Sequence, residues 1–163
     1  KQIQAIINQG QLVADEITLI VLQNRLSQAD CQSGFVLDGF PRNLEQAKSL
    51  DKLADITVAL EIWIPDSEVV SRISGRRTCS KCQTIFHLLS HPPKVPDVCD
   101  NCGGQLIIRD DDQEAVIKQR LGIYHQQTEP LIEYYQTQGK LIKIDGRPSI
   151  AKVNQEVFKK LNV

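Results

Sequence analysis

Apolar residues recur with two different spacings along the chain, and the two spacings alternate in a way that predicts a mixed α/β protein. Short apolar runs rich in β-branched or aromatic residues indicate strands over 35–38, 57–64 and 141–145. Helical spacing of apolar residues predicts helices over 1–9, 16–28, 44–53, 66–74, 113–125 with a continuation to 138, and 149–161. Strands that alternate with helices are typical of a parallel sheet flanked by helices, so we expect an α/β fold.

Polar residues at the start of several helical patterns are candidate N-caps. A Ser, Thr, Asp or Asn side chain accepts a hydrogen bond from a free amide of the first turn, and a Glu or Gln three residues later can return one. The candidates are Asp15, Asn43 with Gln46, Asp66, and Asp111 with Glu114.

Composition and charge narrow the class of protein. The 163 residues carry a formal net charge of -1 at pH 7, so no global positive field attracts nucleic acid. No window approaches the roughly 18 consecutive apolar residues of a membrane span, and no signal-peptide pattern is present. We therefore expect a cytoplasmic protein that binds neither nucleic acid nor a membrane. Because the sequence begins at Lys1 and contains no methionine, we expect it to be a fragment of a longer chain.

Residues 76–110 depart from both spacings and predict a small β insertion in a core formed by 1–75 and 111–163. Four cysteines have the spacing C-x2-C-x16-C-x2-C, and they are Cys79, Cys82, Cys99 and Cys102. This is zinc-ribbon spacing, and four thiolates leave no open position on the metal, so the expected zinc ion is structural. Two disulfides or four free thiols are the alternatives, and a reducing compartment disfavours the disulfides.

The run Asp38-Gly39-Phe40-Pro41-Arg42 follows the first predicted strand directly. Its Gly/Pro turn delivers Arg42 to the carboxyl edge of the sheet, where open α/β folds bind ligands. A guanidinium group at that edge suits a phosphate, because its planar fork donates two parallel hydrogen bonds.

Further arginines flank the insertion on both sides. Arg72 precedes it, Arg76 and Arg77 lie at its entrance, Arg109 lies at its exit, and Arg120 follows it. Together with Arg42 they suit a polyphosphate, whose charge has to be neutralised and kept from water. The alternative for each arginine is a weak surface ion pair, for instance with the acidic run 110–112.

Taken in order, these features resemble the adenylate kinase family. The matching stretches are residues 10–16, 34–42, 72–77, the cysteine ribbon, 109–114, Arg120 and 145–146, which together run through nearly the whole chain. The ribbon is similar to the zinc-bearing lid of many bacterial members. The resemblance implies a P-loop kinase-type parallel sheet with a zinc-ribbon lid at 76–110 that closes over the substrates.

The resemblance also implies an activity. A phosphoryl group would pass directly from ATP to AMP and give two ADP, with arginines and Mg²⁺ stabilising the charge under the closed lid. The cofactors would be structural Zn²⁺ and the Mg²⁺ that accompanies ATP, the partners would be ATP, AMP and ADP, and the family default is a monomer.

The resemblance assigns roles to individual residues, and part of the AMP-binding region would lie at 1–13. The residues expected to bind AMP are Gln11, Leu12, Val13, Gly39, Phe40, Pro41, Arg42, Gln46, Arg109 and Arg120. Those expected to bind ATP are Arg72, Arg76, Ile85, Phe86, Arg147 and Pro148. The expected catalytic residues are Arg42, Arg76, Arg109 and Arg120, and Asp38 would hold magnesium through water. Adenine binding by Gln46 competes with its capping role, because one side-chain atom cannot serve both.

The Gly-rich phosphate loop of the family has no match in this sequence, since no G-x-x-x-x-G-K-[ST] occurs. The resemblance places that segment, together with the central first strand of the sheet, before Lys1. We therefore expect the strands near 36 and 60 to flank an empty position. The chain alone is expected to be inactive, and the activity is assigned to the parent protein.

Two other functions fit parts of the sequence. A kinase for a different nucleoside monophosphate would use the same phosphate chemistry, although Gln46 and the loop at 12–13 favour AMP. A non-enzymatic zinc-ribbon binding module would need a basic, aromatic surface. Between its cysteines the ribbon offers only Lys81, Lys94 and Phe86 for such a surface.

Overall fold

Two units make up the part of the chain that the structure, a computed structural model, describes, which is residues 14–162. The ribbon unit is Pro65–Leu121, and the α/β unit comprises residues 14–64 and 122–162. The predicted helix 1–9 and the predicted AMP-binding residues Gln11, Leu12 and Val13 lie outside the described residues.

The helices and strands alternate as the apolar spacing predicts. In chain order they are α1 (Asp15–Leu26), a 3-10 turn (Ala29–Ser33), α2 (Leu44–Leu50), β1 (Ala59–Trp63), α3 (Asp66–Ser74), β2 (Arg76–Cys79), β3 (Ile85–His87), β4 (Leu106–Ile107), a 3-10 turn (Asp110–Asp112), α4 (Glu114–Ile123), a π turn (Tyr124–Thr128), α5 (Pro130–Thr137), β5 (Leu141–Asp145) and α6 (Ile150–Leu161). No helix within 14–162 is long and apolar enough to cross a lipid bilayer.

The α/β unit is built on a parallel pair of strands. β1 and β5 run in register from Ala59 opposite Leu141 to Trp63 opposite Asp145. At the start of these strands the side chains of Ala47, Leu131 and Tyr135 are buried between α2, α5 and the sheet. Apolar burial of this kind is the main force that holds helices against a sheet. The arrangement confirms the predicted α/β fold with a parallel sheet flanked by helices.

The first predicted strand, 35–38, is wrong for the described chain. These residues form no strand, and the side chain of Val36 is 93% exposed. A strand requires backbone hydrogen bonds to a neighbour, and no part of 14–162 supplies one here. The apolar composition of residues 35–38 is typical of a strand, but composition alone does not provide a neighbouring strand for it to pair with.

The ribbon unit contains a three-stranded antiparallel sheet in the order β3-β2-β4, which confirms the predicted β structure of this segment. Arg76 lies opposite His87, and Thr78 lies opposite both Ile85 and Ile107. Its buried cluster is small and consists of Cys79, Phe86, Cys99 and Leu106. A core of this size is weak by itself, which is consistent with a metal that replaces apolar packing.

Only one of the predicted side-chain caps is present. The Oδ1 atom of Asn43 accepts a hydrogen bond from the Gln46 amide at 2.8 Å, which confirms the N-cap of α2. A capping box would also have the Gln46 side chain accept a hydrogen bond from the amide of Asn43. Instead, Gln46 Oε1 accepts from the amide of the preceding residue, Arg42, at 2.7 Å. The N-cap positions predicted at Asp15 and Asp66 are wrong by one residue, since Ala14 and Pro65 occupy them and each aspartate is the first residue of its helix.

The capping box predicted from Asp111 and Glu114 is also wrong. Asp111 lies in the 3-10 turn before α4, and its carboxylate bonds Arg109. The two-pronged pair with the Arg109 guanidinium gives the carboxylate two charge-assisted hydrogen bonds with an opposite charge, whereas a cap gives it one bond to a backbone amide. The predicted interruption of the long helix is present, because the π turn ends where Pro130 begins α5.

Gln83 is expected to be replaceable by glycine with a gain in stability. It has a φ of 61° in the turn between β2 and β3, and its amide donates to the carbonyl of Cys79 at 3.1 Å. The left-handed region costs a side-chain-bearing residue about 1–2 kcal/mol, of which the greater freedom of unfolded glycine returns a part. We expect Gln83→Gly to raise the free energy of unfolding of the metal-loaded ribbon unit by about 0.5–1 kcal/mol in urea titrations.

The matched control is Gln105→Gly, because Gln105 is exposed in the same unit and has no positive φ. That change is expected to lower stability by about 0.5–1 kcal/mol, since glycine weakens extended backbone. Equal losses in the two variants would contradict the assignment of strain to Gln83.

Candidate functional site

Four thiols of the ribbon unit converge on one point. Cys79 Sγ lies 3.4 Å from Cys102 Sγ, Cys82 Sγ lies 3.6 Å from Cys99 Sγ, and all four atoms lie within 4.8 Å of one another. These separations are far beyond the S–S bond of about 2.05 Å, so the thiols are not disulfide-bonded. Four sulfurs at about 2.3 Å from a zinc ion would be roughly 3.8 Å apart, so the cluster fits a tetrahedral zinc ion.

Tight turns of the backbone bring the thiols together. The amide of Cys99 donates to the carbonyl of Gly104 at 2.8 Å, and the amide of Gly103 donates to the carbonyl of Cys99 at 2.9 Å. Gly103 has a φ of +67°, and a Cβ on Gly104 would lie 2.9 Å from Cys79 Sγ. Both positions therefore favour glycine, one for its conformation and one for the space that the thiol needs.

Thr84 affects the ionisation of Cys82, the cysteine of the cluster that its hydroxyl contacts. The Thr84 hydroxyl, 3.1 Å from Cys82 Sγ, and the Thr84 amide lower the pKa of the Cys82 thiol to about 6. Hydrogen bonding to Cys82 in turn raises the pKa of the Cys102 thiol to about 12, because neighbouring thiols do not readily ionise together. A divalent cation removes this conflict, since it stabilises all four thiolates at once.

Three predicted arginines of the ribbon unit meet at two aspartates. Arg76 makes a two-pronged pair with Asp112, with Nε donating to Oδ2 at 2.8 Å and Nη2 donating to Oδ1. Arg109 makes a similar pair with Asp111, with both hydrogen bonds at 2.9 Å. Arg120 Nη1 donates to the carbonyl of Asp111 at 3.2 Å. The side chain of Asp112 is fully buried, so its pair with Arg76 is not an ordinary surface ion pair.

The fourth arginine predicted for this unit lies apart from the other three. Arg72 pairs with Glu68 one turn earlier on α3. The spacing of four residues would place Arg72 and Arg76 on one helix face only if the helix continued to Arg76. Because α3 ends at Ser74, the two residues do not share a helix face. Arg77 donates to the carbonyl of Ser74 at 2.9 Å, near the end of the helix.

The turn that carries Arg42 belongs to the α/β unit. Its Phe40–Pro41 peptide bond is cis, and Gly39 has a φ of +70°. Arg42 Nε donates to the carbonyl of Gly39 at 2.7 Å, and a Cβ on Gly39 would lie 2.9 Å from Arg42 Nη2. Glycine therefore lets the guanidinium fold over its own turn. Asp38, at the start of the turn, is exposed.

Gln46, at the beginning of α2, is only 3% exposed. Its Oε1 accepts from the Arg42 amide, and its Nε2 donates to Asp15 Oδ1 at 2.6 Å. Asn43 Nδ2 also donates to Asp15, at 3.1 Å and 3.0 Å to the two carboxylate oxygens. Asp15 is thus a member of this site that the sequence did not indicate, because its only signal was that of a helix start.

Arg147 lies at the carboxyl end of β5. It makes hydrogen bonds of 2.7–3.1 Å to Asp145 and lies 5.8 Å from the ring centre of Trp63. Hydrogen bonds from the side chain and amide of Arg147 lower the pKa of Asp145 to about 2. A cleft of about 1190 Å³ opens beside these residues, lined also by Glu129 and Lys143. Pro148 follows Arg147 directly.

Two residues predicted to contact ATP differ sharply in exposure. Ile85 is exposed, whereas Phe86 is buried in the ribbon core and stacks on His91 with ring centres 5.5 Å apart. Phe86 is therefore a core residue of the ribbon unit. Its burial also removes the aromatic platform that a nucleic-acid-binding ribbon would use.

The structure thus gathers the predicted residues in two places. Arg76, Arg109 and Arg120 meet in the ribbon unit, which also contains the four-cysteine cluster. Arg42 and Gln46 meet in the α/β unit. A family model described as adenylate kinase matches residues 1–140.

The chain belongs to the adenylate kinase family. Relatives named adenylate kinase support the assignment over almost all of the chain. That of Acetivibrio thermocellus is 47% identical over 161 residues, which are 96% of this chain and 74% of the relative. That of Caldicellulosiruptor saccharolyticus is 47% identical over 168 residues, with 100% and 78% covered. That of Archaeoglobus fulgidus is 43% identical over 162 residues, with 96% and 75% covered.

Membership of the adenylate kinase family confirms the family and the phosphotransferase class predicted from the sequence. The α/β fold agrees with it, and the four-cysteine cluster fits the zinc-bearing lid that the resemblance implied.

Proposed function

We propose that the protein transfers a phosphoryl group directly from ATP to AMP and forms two ADP. Beyond family membership, the observation that supports this reaction most is the group of three guanidiniums around Asp111 and Asp112. Phosphoryl transfer asks for little covalent chemistry from the protein, and it depends on positioning and on stabilisation of negative charge.

The arginine group is suited to phosphate because its hydrogen-bonding capacity is only partly used. A guanidinium has five N–H donors, and a two-pronged bond to a carboxylate occupies two of them. The side chains of Arg76, Arg109 and Arg120 are 28%, 43% and 37% exposed, so part of each guanidinium is open to a ligand. Held by buried carboxylates, these groups need little reorganisation when charge develops on the transferred phosphoryl group.

The acceptor nucleotide would bind to the α/β unit. Arg42 would hold the phosphate of AMP, next to Gly39, Phe40 and Pro41 of the same turn. Gln46 would hydrogen-bond the adenine with the parts of its amide that its contacts leave open. Arg109 and Arg120 would hold the phosphoryl group that is transferred.

The donor nucleotide would be held by Arg72 and Arg76, with the segment Ile85–Phe86 over its adenine. Arg147 and Pro148 would lie beside the base, where the cleft supplies room. Asp38 would hold Mg²⁺ through water, and its exposed carboxylate suits a cation that keeps several water ligands. When bound, that ion supplies charge neutralisation for the ATP phosphates.

Residues 76–110 would act as a lid, and the zinc ion would hold that lid as a rigid body. Closure brings positive charge to the phosphates and excludes water, which otherwise competes as the acceptor. We also expect a monomer, since every role assigned above is met within one chain.

A phosphoryl-acceptor panel tests the proposal. The protein, expressed from its whole reading frame, is given ATP and Mg²⁺ with AMP, GMP, CMP or UMP, and the nucleotide products are separated by chromatography. We expect ADP from AMP at a kcat/KM at least about 10-fold above any other acceptor, since a base held by hydrogen bonds discriminates strongly. Preference for another monophosphate would favour a kinase of different specificity, and no transfer at all would contradict the proposal. The same assay on residues 1–163 alone tests the prediction that this segment is inactive.

A further inference from the structure

A continuous series of hydrogen bonds fixes the orientation of the Gln46 side-chain amide. The Gln46 amide donates to Asn43 Oδ1, Asn43 Nδ2 donates to Asp15, Gln46 Nε2 donates to Asp15, and the Arg42 amide donates to Gln46 Oε1. The series begins and ends at backbone N–H groups, which can only donate, and it has a carboxylate at its centre. The positions of oxygen and nitrogen in the side-chain amides of Asn43 and Gln46 are therefore determined, because backbone N–H groups only donate and a carboxylate only accepts.

The opposite orientation of the Gln46 amide is disfavoured for the same reason. A half-turn would place Oε1 against the carboxylate of Asp15, where both groups are acceptors. It would also place the amide nitrogen against the N–H of Arg42, where both groups are donors. Since Gln46 is 3% exposed, water does not compensate for the two lost hydrogen bonds.

One donor and one acceptor of the fixed amide remain for a ligand. A side-chain amide offers two N–H groups and two lone pairs, and within residues 14–162 Asp15 and Arg42 use one of each. A 6-aminopurine presents an acceptor at N1 beside a donor at its amino group. A 6-oxopurine in the same pose presents the reverse, a donor at N1 beside an acceptor at O6, and it would pair only with a reversed amide.

We propose that Asp15 is a specificity-determining positioning residue that locks Gln46 in the orientation that accepts a 6-aminopurine and rejects a 6-oxopurine. The inference rests on the proposed function, in which Gln46 contacts the base of the acceptor nucleotide. Asp15 itself touches no substrate in this account. It acts through Gln46, and discrimination comes from the repulsive contacts of the reversed amide as much as from the favourable ones.

The test is Asp15→Asn, which keeps the size of the side chain but can present either oxygen or nitrogen to Gln46. The kcat/KM for AMP and for IMP, a 6-oxopurine of matched shape, is measured with saturating ATP and Mg²⁺. We expect the AMP-to-IMP ratio to fall at least about 10-fold, through a higher KM for AMP and a lower KM for IMP. The KM for ATP is expected to stay within about twofold.

Asp30→Asn is the matched control, because Asp30 is an exposed aspartate of the same unit that pairs with Arg25. It should leave the AMP-to-IMP ratio unchanged. A merely structural role for Asp15 would lower both kcat/KM values by one factor and preserve the ratio, and that result would overturn the inference. A wild-type protein that phosphorylates no nucleoside monophosphate would overturn this inference and the proposed function together.

A second measurement on the unaltered protein covers the case in which Asp15→Asn does not fold. The two side-chain amide protons of Gln46 are followed by ¹⁵N-resolved NMR while AMP is added. We expect one proton, bonded to Asp15, to keep its chemical shift, and the other to move on saturation with AMP. Two unmoved protons, or a spectrum in which both exchange freely before AMP is added, would overturn the inference.

Discussion

Removal of the metal from the four-cysteine site is expected to unfold the ribbon unit and to leave the α/β unit folded. The buried cluster of the ribbon consists of Cys79, Phe86, Cys99 and Leu106, and two of these four residues belong to the four-cysteine cluster. Without the ion, little apolar burial remains to offset the loss of chain entropy. Zinc binding contributes on the order of 10 kcal/mol in zinc-finger peptides, which is more than such a core can replace.

Limited proteolysis with and without a chelator measures this effect. After chelation we expect new cleavage sites within 76–110, while residues 122–162 stay protected and added Zn²⁺ restores the original pattern. Cys99→Ser should reproduce the effect of the chelator. Cys31→Ser is the matched control, because Cys31 lies outside the cluster and a serine there can still accept a bond from Arg25. An unchanged digestion pattern after complete loss of metal would contradict a structural role.

Asp112→Leu is expected to destabilise the ribbon unit by about 3 kcal/mol and to lower kcat by about 10²–10³-fold. The Asp112 side chain is fully buried, and it holds Arg76 through two hydrogen bonds. Removing one partner of such a pair leaves the other charge uncompensated in a site that is poorly hydrated. The guanidinium of Arg76 also loses the group that positions it for phosphate.

A second substitution separates the structural effect from the catalytic one. Replacing both members, as Arg76→Met with Asp112→Leu, removes the uncompensated charge, and apolar replacements of a buried pair are often neutral for stability. We expect this double variant to regain most of the lost stability in urea titrations while kcat remains low. Recovery of activity together with stability would show that Arg76 serves only the fold. Asp30→Ala is the control, since its exposed pair with Arg25 is worth about 1 kcal/mol or less.

Local patterns predicted much of the fold. β5 has the bounds predicted from its apolar run, α3 ends at the predicted residue Ser74, and β1 lies within the predicted range 57–64. These elements are set by residues that are near each other in sequence, so periodicity alone identifies them. The cysteine spacing likewise predicted which four thiols converge, because each pair is held in one tight turn.

The hydrogen-bonded pairs between residues far apart in the sequence could not be predicted. Asp112 and Arg76 are 36 residues apart, and Asp15 and Gln46 are 31 residues apart. Local rules assign aspartates near helix starts to capping, but in the folded chain Asp15 accepts from the distant residues Asn43 and Gln46, and Asp111 pairs with Arg109. The prediction of a strand at 35–38 was wrong for a related reason. A strand has to pair with a neighbouring strand, and the local sequence pattern does not indicate whether one is present.

The position of Trp63 has a spectroscopic consequence. It is the only tryptophan of the 163 residues, and it lies in β1 of the α/β unit with Arg147 over its ring. Indole fluorescence therefore reports on this unit alone, with no contribution from Pro65–Leu121. Unfolding of the two units can thus be followed separately in one unlabelled sample, by fluorescence for one and by circular dichroism for the whole.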